Sequence, residues 1–269
     1  MADSEMTEKP GLRVRYRDLA PRAIVGVLLI AVALFGSWRG GLFFNYLIGL
    51  AALLMFREWA RMHGMPSGEG SSRFVGFTGI GAAVVLANEG LMTLGVAALG
   101  ATTAYYLFNR RAAALGVLYC GLPALALVWL RDQESGFPLL VWTLVVVWAT
   151  DIGAYFAGRL IGGPKLAPKI SPSKTWAGLF GAMVAAGALG AAMTAVFRLP
   201  FELWQSAVLG AALAIAAQAG DFYESHLKRR AGIKDSGNLL PGHGGIMDRL
   251  DGLVPVSIIV AGTVWALGA

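Results

Sequence analysis

Residues 137–158 read FPLLVWTLVVVWATDIGAYFAG, an apolar run in which Asp151 is the single charged side chain. An α-helix needs about 20 apolar residues to cross the roughly 30 Å hydrocarbon core of a bilayer, and this run is long enough to do so. An ionisable group within such a helix is costly and usually functional, so Asp151 is a candidate site residue. The alternative is that Asp151 pairs with an arginine such as Arg159 and serves helix packing.

The rest of the chain has the same apolar character. Of its 269 residues 57% are hydrophobic and 14% are charged, whereas soluble domains carry about 25% charged residues. Strands are disfavoured, because lipid-facing barrel strands alternate apolar and polar residues and these stretches do not. We therefore expect an all-α, polytopic integral membrane protein. Its predicted transmembrane helices are approximately 22–38, 40–60, 73–88, 90–108, 112–131, 137–158, 175–197, 203–228 and 250–268.

The basic residues predict the orientation, since lysine and arginine concentrate on the cytoplasmic side of membrane proteins. With the N-terminus inside, nine crossings and an external C-terminus, all of the 22 lysines and arginines fall on the cytoplasmic side except Arg39, Arg131 and Arg198. Residues 1–21 are then a cytoplasmic basic segment, and residues 22–269 form a single transmembrane domain. Because this topology explains the formal net charge of +6, we expect no nucleic-acid partner.

Most polar residues fall in two long internal connections, about 159–174 and 229–249. In the first, Ser171 is expected to cap the seventh helix, whose free backbone N–H groups attract phosphate. The lysines around that helix start are Lys165, Lys169 and Lys174. Taken alone this signal is weak, since topology predicts lysines at a cytoplasmic border in any case.

A second polar cluster begins inside the eighth helix. Asp221 and Glu224 are three residues apart and share a helical face, and Ser225 lies one turn beyond Asp221. Asp248 and Asp251 repeat the spacing of three where the ninth helix is expected to begin. Two carboxylate pairs on converging helix ends suit a hard cation such as Mg²⁺, which prefers oxygen ligands. The alternative is that Asp248 and Asp251 merely cap the ninth helix and complement its dipole.

The connection between these two pairs is unusually polar and rich in glycine. Residues 234–252 read KDSGNLLPGHGGIMDRLDG, and their glycines allow the backbone to approach a phosphate group closely. His243 is a candidate for contact with phosphate or nucleotide, although a general base or a bond to a carbonyl is also open. Arg57 and Glu58, with His63, are interpreted as an interfacial group at the end of the second helix and receive no role.

At this point the residues resemble a known family. SHLKRRAGIKDSGNLLPGHGGIMDRLD, residues 225–251, is similar to the signature of the phosphatidate cytidylyltransferases, the CDP-diacylglycerol synthases, along its whole length. The upstream segments DIGAYFAGR, KLAPKISPSKTWAG and QAGDFYES also resemble that family's usual segments. One departure is Ala177, which stands where the family often has Glu or Gln, so no polar role is carried over to that position.

The resemblance implies condensation of CTP with phosphatidic acid to give CDP-diacylglycerol and pyrophosphate. It implies Mg²⁺, with a monovalent cation such as K⁺ as a second ion, and homodimerisation as a family expectation. The metal-binding acids would be Asp221, Asp248 and Asp251. The expected catalytic set is Asp221, Asp248, Asp251 and Lys234, and the expected substrate-binding set is Asp151, Lys169, Ser171, Lys174, Ser225, Lys228, Arg229, His243 and Arg249.

The chemistry of such a transfer agrees with these residue types. An already ionised phosphate oxygen attacks phosphorus in line, so the protein must mainly position the reactants and neutralise charge. Phosphatidic acid stays among membrane lipids while CTP comes from the cytosol, so the two internal connections should meet at the cytoplasmic face of a bacterial inner membrane. Two alternatives stay open: a CTP-dependent polyprenol or dolichol kinase, and a cation-coupled membrane transporter, whose charges would lie near the midplane.

The seventh stretch also carries a pattern of small residues, GLFGAMVAAGALGAAM, at positions 178–193. Small residues let helix backbones approach closely within a membrane. We therefore predict a close-packing face on this helix.

Overall fold

The computed structural model describes residues 19–67, 72–240 and 244–268, and within them nine helices of 15 residues or more coincide with the nine predicted stretches. A one-turn helix and two short strands complete the secondary structure of the described residues. The elements are α1 (Leu19–Arg39), α2 (Gly41–Met62), α3 (Ser72–Asn88), α4 (Met92–Asn109), α5 (Arg111–Arg131), α6 (Gly136–Leu160), β1 (Lys165–Ala167), β2 (Ser171–Thr175), α7 (Trp176–Phe197), α8 (Leu203–Arg230), α9 (Met247–Leu250) and α10 (Leu253–Leu267).

Five of these helices, α2, α5, α6, α7 and α8, are long and apolar enough to cross a membrane. The apolar parts of α1, α3, α4 and α10 are shorter, at 10 to 17 residues. Large apolar side chains such as Val184 and Trp265 are mostly exposed on the helix surfaces, as expected where lipid is the solvent. The all-α membrane class is therefore confirmed, while nine crossings and the predicted orientation stay predictions.

The connection between α6 and α7 contains a hairpin that the sequence analysis did not predict. Strand β1 pairs with β2 in antiparallel fashion, so Ser171 lies in a strand and the prediction that it caps the seventh helix is wrong. The cap is Thr175, whose Oγ1 accepts a hydrogen bond of 3.1 Å from the backbone N–H of Gly178. The physical reason is that residues 171–175 pair with β1, so the helix begins only at Trp176.

The small residues of α7 pack against both neighbouring helices, as predicted. A Cβ added at Gly153 of α6 would lie 2.6 Å from the carbonyl oxygen of Gly181, and one at Gly187 would lie 2.8 Å from that of Ala207 in α8. Such separations are too short for any side chain larger than hydrogen. Helices α6, α7 and α8 thus form a close-packed unit, and this unit carries five of the thirteen predicted site residues, Asp151, Asp221, Ser225, Lys228 and Arg229.

The helix ends that carry Arg39, Arg131 and Arg198, the three cations not predicted on the cytoplasmic side, lie together. Nε of Arg131, at the end of α5, donates a 2.8 Å hydrogen bond to the carbonyl oxygen of Ser37 in the last turns of α1. The rings of Phe137, at the start of α6, and Phe197, at the end of α7, are 6.5 Å apart. The 25 residues of α6 extend about 37 Å from this end to the hairpin. These contacts agree with the predicted alternation of helix ends and leave the polar connections at the opposite end.

Candidate active site

The last turns of α8 present a row of polar side chains on one helical face. Ser225 Oγ donates to Asp221 Oδ1 at 3.3 Å, and Lys228 Nζ donates to Glu224 Oε2 at 3.1 Å. Both pairs are four residues apart, the spacing at which helical side chains meet. Glu224 is fully buried, so its charge depends on Lys228 and on whatever else reaches its second oxygen.

A close backbone approach brings Asp251 to this face. A Cβ at Gly220 would overlap the carbonyl oxygen of Asp251, so glycine at that position lets the segment after α9 lie directly on α8. Burial raises the pKa of the Asp251 carboxyl, and the nearby Asp221 carboxylate raises it further, against a 2.8 Å hydrogen bond from the backbone N–H of Gly252. Because a nearby carboxylate contributes to the raised pKa, a cation bound between the two acids would be stabilising.

The hairpin joins the same group through its last lysine. Lys174 Nζ lies 2.6 Å from Asp221 Oδ2, so the first polar connection does reach the face formed by α8. Asp151 interacts electrostatically with Lys174, Asp221 and Arg249. Among the described residues no ion pair joins Asp151 to Arg159, so that particular pairing is not observed there.

Asp248 organises the second polar connection. Its Oδ1 accepts a hydrogen bond of 2.5 Å from Lys228 Nζ, and its Oδ2 accepts bonds from Ser236 N and Oγ, both 2.9 Å, and from Gly245 N, 2.8 Å. Burial alone would raise the pKa of Asp248, yet the bonds from Lys228 and the backbone N–H groups outweigh it and the pKa lies below its usual value. Asp248 is therefore an ionised centre around which residues 236–245 are arranged.

Asp248 and Asp251 do not begin the ninth long helix, which corrects one expectation. Asp248 lies in the one-turn α9, Asp251 follows it, and the N-cap position of α10 is Gly252, which has no side-chain cap. The capping alternative is thus not observed. Asp248 instead accepts hydrogen bonds from Lys228, Ser236 and Gly245, and Asp251 Oδ1 accepts one from the backbone N–H of Gly252.

Glu58 is a residue of this network to which the sequence analysis assigned no role. Its Oε1 accepts a hydrogen bond from Ile246 N (3.0 Å), and its Oε2 accepts from Met247 N (2.9 Å) and from Ser236 Oγ (2.8 Å). Only 4% of Glu58 is exposed. The interpretation of Glu58 as an interfacial residue without a role is wrong, because this carboxylate ties the Asp248 connection to α2.

A signal for this role existed in the sequence. Glu58 stands between Phe56 and Trp59, both fully buried, and an acid on the apolar face of a helix needs donors from elsewhere in the fold. The donors are 178 to 189 residues away along the chain. A single sequence could flag the acid but could not identify what it binds.

The remaining predicted residues lie apart from this network. Lys169, Arg229 and Lys234 are exposed, and no ion pair involves any of them among residues 19–67, 72–240 and 244–268. His243 lies outside the described residues. The predicted residues that the structure does bring together are Asp151, Lys174, Asp221, Ser225, Lys228, Asp248, Arg249 and Asp251.

The donor chemistry of this group suits an oxygen-coordinated cation. In the part of the chain that the structure describes, no three His, Cys, Asp or Glu side chains are already arranged as a metal centre. Within the same residues, however, Glu224 Oε1 is buried without a hydrogen-bond partner, and the Glu224 carboxylate interacts with those of Asp251 and Asp248. Asp221 and Asp251, with Glu224, therefore fit a hard cation, whereas a metal ligated by Asp248 Oδ1 would have to replace Lys228.

The sequence of this chain is similar to those of known proteins. The profile of the "Cytidylyltransferase family" matches residues 20–267. A protein of Brucella suis biovar 1 (strain 1330) named "Phosphatidate cytidylyltransferase" is 39% identical over 250 residues, which cover 90% of this chain and 92% of that protein. Proteins with the same name are 35% identical in Pseudomonas aeruginosa, over 93% of this chain and 98% of the relative, and 41% identical in Bacillus subtilis, over 51% of each.

Proposed function

Because the chain belongs to the cytidylyltransferase family and is therefore a nucleotidyltransferase enzyme, we propose that it transfers CMP from CTP to phosphatidic acid. The products would be CDP-diacylglycerol, a precursor in phospholipid biosynthesis, and pyrophosphate. The relatives named above carry that activity in their names, over most of this chain in two of the three cases.

One observation in particular supports the proposal. Two ion pairs, Lys174 of the hairpin with Asp221 and Lys228 with Asp248, lie at one end of an apolar helix bundle. Polar residues in that position can contact phosphatidic acid, whose acyl chains stay in the bilayer, and also CTP, which arrives from water. A transporter would instead need its charges near the midplane.

The reaction needs little covalent help from the protein. An oxygen of the phosphatidate phosphate forms a bond to the α-phosphorus of CTP, while the bond from that phosphorus to the oxygen bridging to the β-phosphorus breaks. The electron pair of the broken bond leaves with pyrophosphate. Since the attacking oxygen is already ionised near neutral pH, positioning and charge neutralisation dominate. Lys174 and Lys228 are the buried or half-buried cations that could exchange their carboxylate partners for phosphate oxygens.

We extend the proposal to metal ions. Asp221 and Asp251 would hold Mg²⁺, with Asp248 as the third acid of the predicted set, Glu224 as an added donor, and K⁺ as a second ion. The bound metal would neutralise charge on the triphosphate and stabilise the leaving pyrophosphate. The protein contributes oxygen ligands whose mutual repulsion is relieved by a cation, together with Ser225, which orients Asp221.

The proposal includes the topology: a bacterial inner membrane, nine crossings, the N-terminus inside and the network at the cytoplasmic face. Protease protection of tags placed at either end of the chain, in sealed vesicles of known orientation, would test it. Homodimerisation is also part of the proposal. The glycines of α7 already contact α6 and α8 within one chain.

The activity is tested with protein purified in detergent micelles, supplied with phosphatidic acid, CTP and Mg²⁺. We expect pyrophosphate release that requires all three additions. Release of CDP when a polyprenol replaces phosphatidic acid would instead identify a kinase. A protein that is folded but inactive in both assays would refute the proposal.

A further inference from the structure

Two cavities lie beside the end of α2 and border the network described above at Glu58 and Ser236. The first, of about 200 Å³, is lined by Arg57, Glu58, Arg61 and by residues 237–239 of the second polar connection. The second, of about 300 Å³, shares Arg61 and Gly237 with the first and extends to Asp235. The larger cavity reaches the lower end of the range typical of small-molecule sites, about 300–1,000 Å³.

The first cavity carries an excess of positive charge. Arg57 and Arg61 are one helical turn apart, both are exposed, and within the described parts of the chain neither guanidinium forms an ion pair. Among the described residues the single acid lining that cavity is Glu58, whose two oxygens are already engaged by Ser236 and by backbone N–H groups. Two like charges at this spacing repel each other, so an anion between them would be stabilising.

The cavities are physically joined to the proposed active site. Ser236 Oγ lies 2.8 Å from Glu58 Oε2 and 2.9 Å from Asp248 Oδ2, so the two carboxylates share its single hydroxyl hydrogen. Gly237 follows Ser236 directly along the cavity wall. A ligand that fills the first cavity therefore contacts the segment that positions Asp248. The arrangement differs from a solvated row of interfacial arginines, because Arg57 and Arg61, although exposed, line one cavity together with residues 237–239.

We propose that Arg57 and Arg61 form a phosphate-binding subsite separate from the Lys174–Asp221 and Lys228–Asp248 pairs. Guanidinium groups match phosphate oxygens in geometry as well as in charge. The phosphate would belong to one of the two substrates, either the triphosphate of CTP or the head group of phosphatidic acid. This inference rests on the proposed function for the identity of those substrates.

The test compares Arg57→Gln, Arg61→Gln and the double variant with Arg39→Gln, which removes an exposed arginine at the opposite end of the bundle. Initial rates in mixed micelles give separate KM values for CTP and for phosphatidic acid. We expect one of the two KM values to rise about tenfold in each single variant and further in the double variant, with kcat within about twofold of wild type. A raised KM for CTP assigns the subsite to the nucleotide, and a raised KM for phosphatidic acid assigns it to the lipid.

Binding without turnover separates this inference from the proposed function. Calorimetry would measure the affinity of the detergent-solubilised protein for inorganic tripolyphosphate and for dihexanoyl phosphatidate. If wild type forms no CDP-diacylglycerol but binding of one probe still weakens in the arginine variants, the proposed function fails and the subsite stands. If both KM values and both affinities match those of Arg39→Gln, the arginines serve topology alone and the subsite is refuted.

Discussion

Replacing Glu58 by alanine should release the Asp248 connection from α2. The change leaves the buried N–H groups of Ile246 and Met247 without their acceptor, while Ser236 Oγ keeps its bond to Asp248. A hydrogen bond to a charged group contributes about 1.5–3 kcal/mol, so two lost bonds correspond to about 3–6 kcal/mol. The 4% exposure of Glu58 leaves little water to compensate. Glu58→Gln keeps one carbonyl acceptor and should lose about half as much stability as Glu58→Ala.

The loss of stability should first appear locally, at the Asp248 connection, before the whole protein unfolds. Thermal unfolding in detergent would report the total change, and hydrogen exchange would report opening at the amides of Ile246 and Met247. Glu134→Gln, at an exposed acid outside the network, serves as the matched control. A double-mutant cycle with Ser236→Ala measures the coupling of that hydroxyl to Glu58, expected at about 1 kcal/mol or more. Unchanged exchange at both amides and an unfolding temperature equal to that of the control would refute the anchoring role.

Three further outcomes are expected. Asp248→Asn should abolish turnover and also destabilise the protein by about 3 kcal/mol, because it breaks a mostly buried pair with a lysine. Asp221→Asn should abolish turnover with little change in unfolding temperature. Equal stability of the two variants would contradict this expectation. Gly245→Ala should destabilise the protein, since the added Cβ would collide with Ser236 Oγ and the carboxylate of Glu58. Gly262→Ala, with open space at that position, should be neutral or slightly stabilising in an unfolding assay. Mg²⁺ should raise the unfolding temperature of wild type and not that of Asp251→Asn, and an equal rise in both would remove this acid from the metal site.

The helices were the predictable part of the fold. Each arises from a local run of apolar residues, so composition sufficed to place all nine within a few residues, although only five of these described helices are long and apolar enough to cross a membrane. The close-packing face of α7 was equally local, because glycine and alanine recur at the spacing of one helical face. Even the pairing of Ser225 with Asp221 followed from helical periodicity.

The parts that were not predicted depend on contacts between distant segments. Ser171 was read as a helix cap from its neighbours, but it pairs within a hairpin that needs a strand partner. Glu58 looked like an interfacial acid until the donors from residues 236–247 came next to it. Asp248 was expected to be a free metal ligand, and the structure shows that Lys228 and three donors to its second oxygen already engage its carboxylate. Its role as a ligand stays a prediction.

The central claim is the transfer of CMP, and the fate of the label from CTP tests it most directly. Purified protein would be incubated with phosphatidic acid and Mg²⁺ and with CTP labelled at either the α- or the γ-phosphorus. The account predicts that α-label enters the lipid as CDP-diacylglycerol and that γ-label appears in pyrophosphate alone. Transfer of the γ-label to a lipid, or no transfer of the α-label by folded protein, would contradict it.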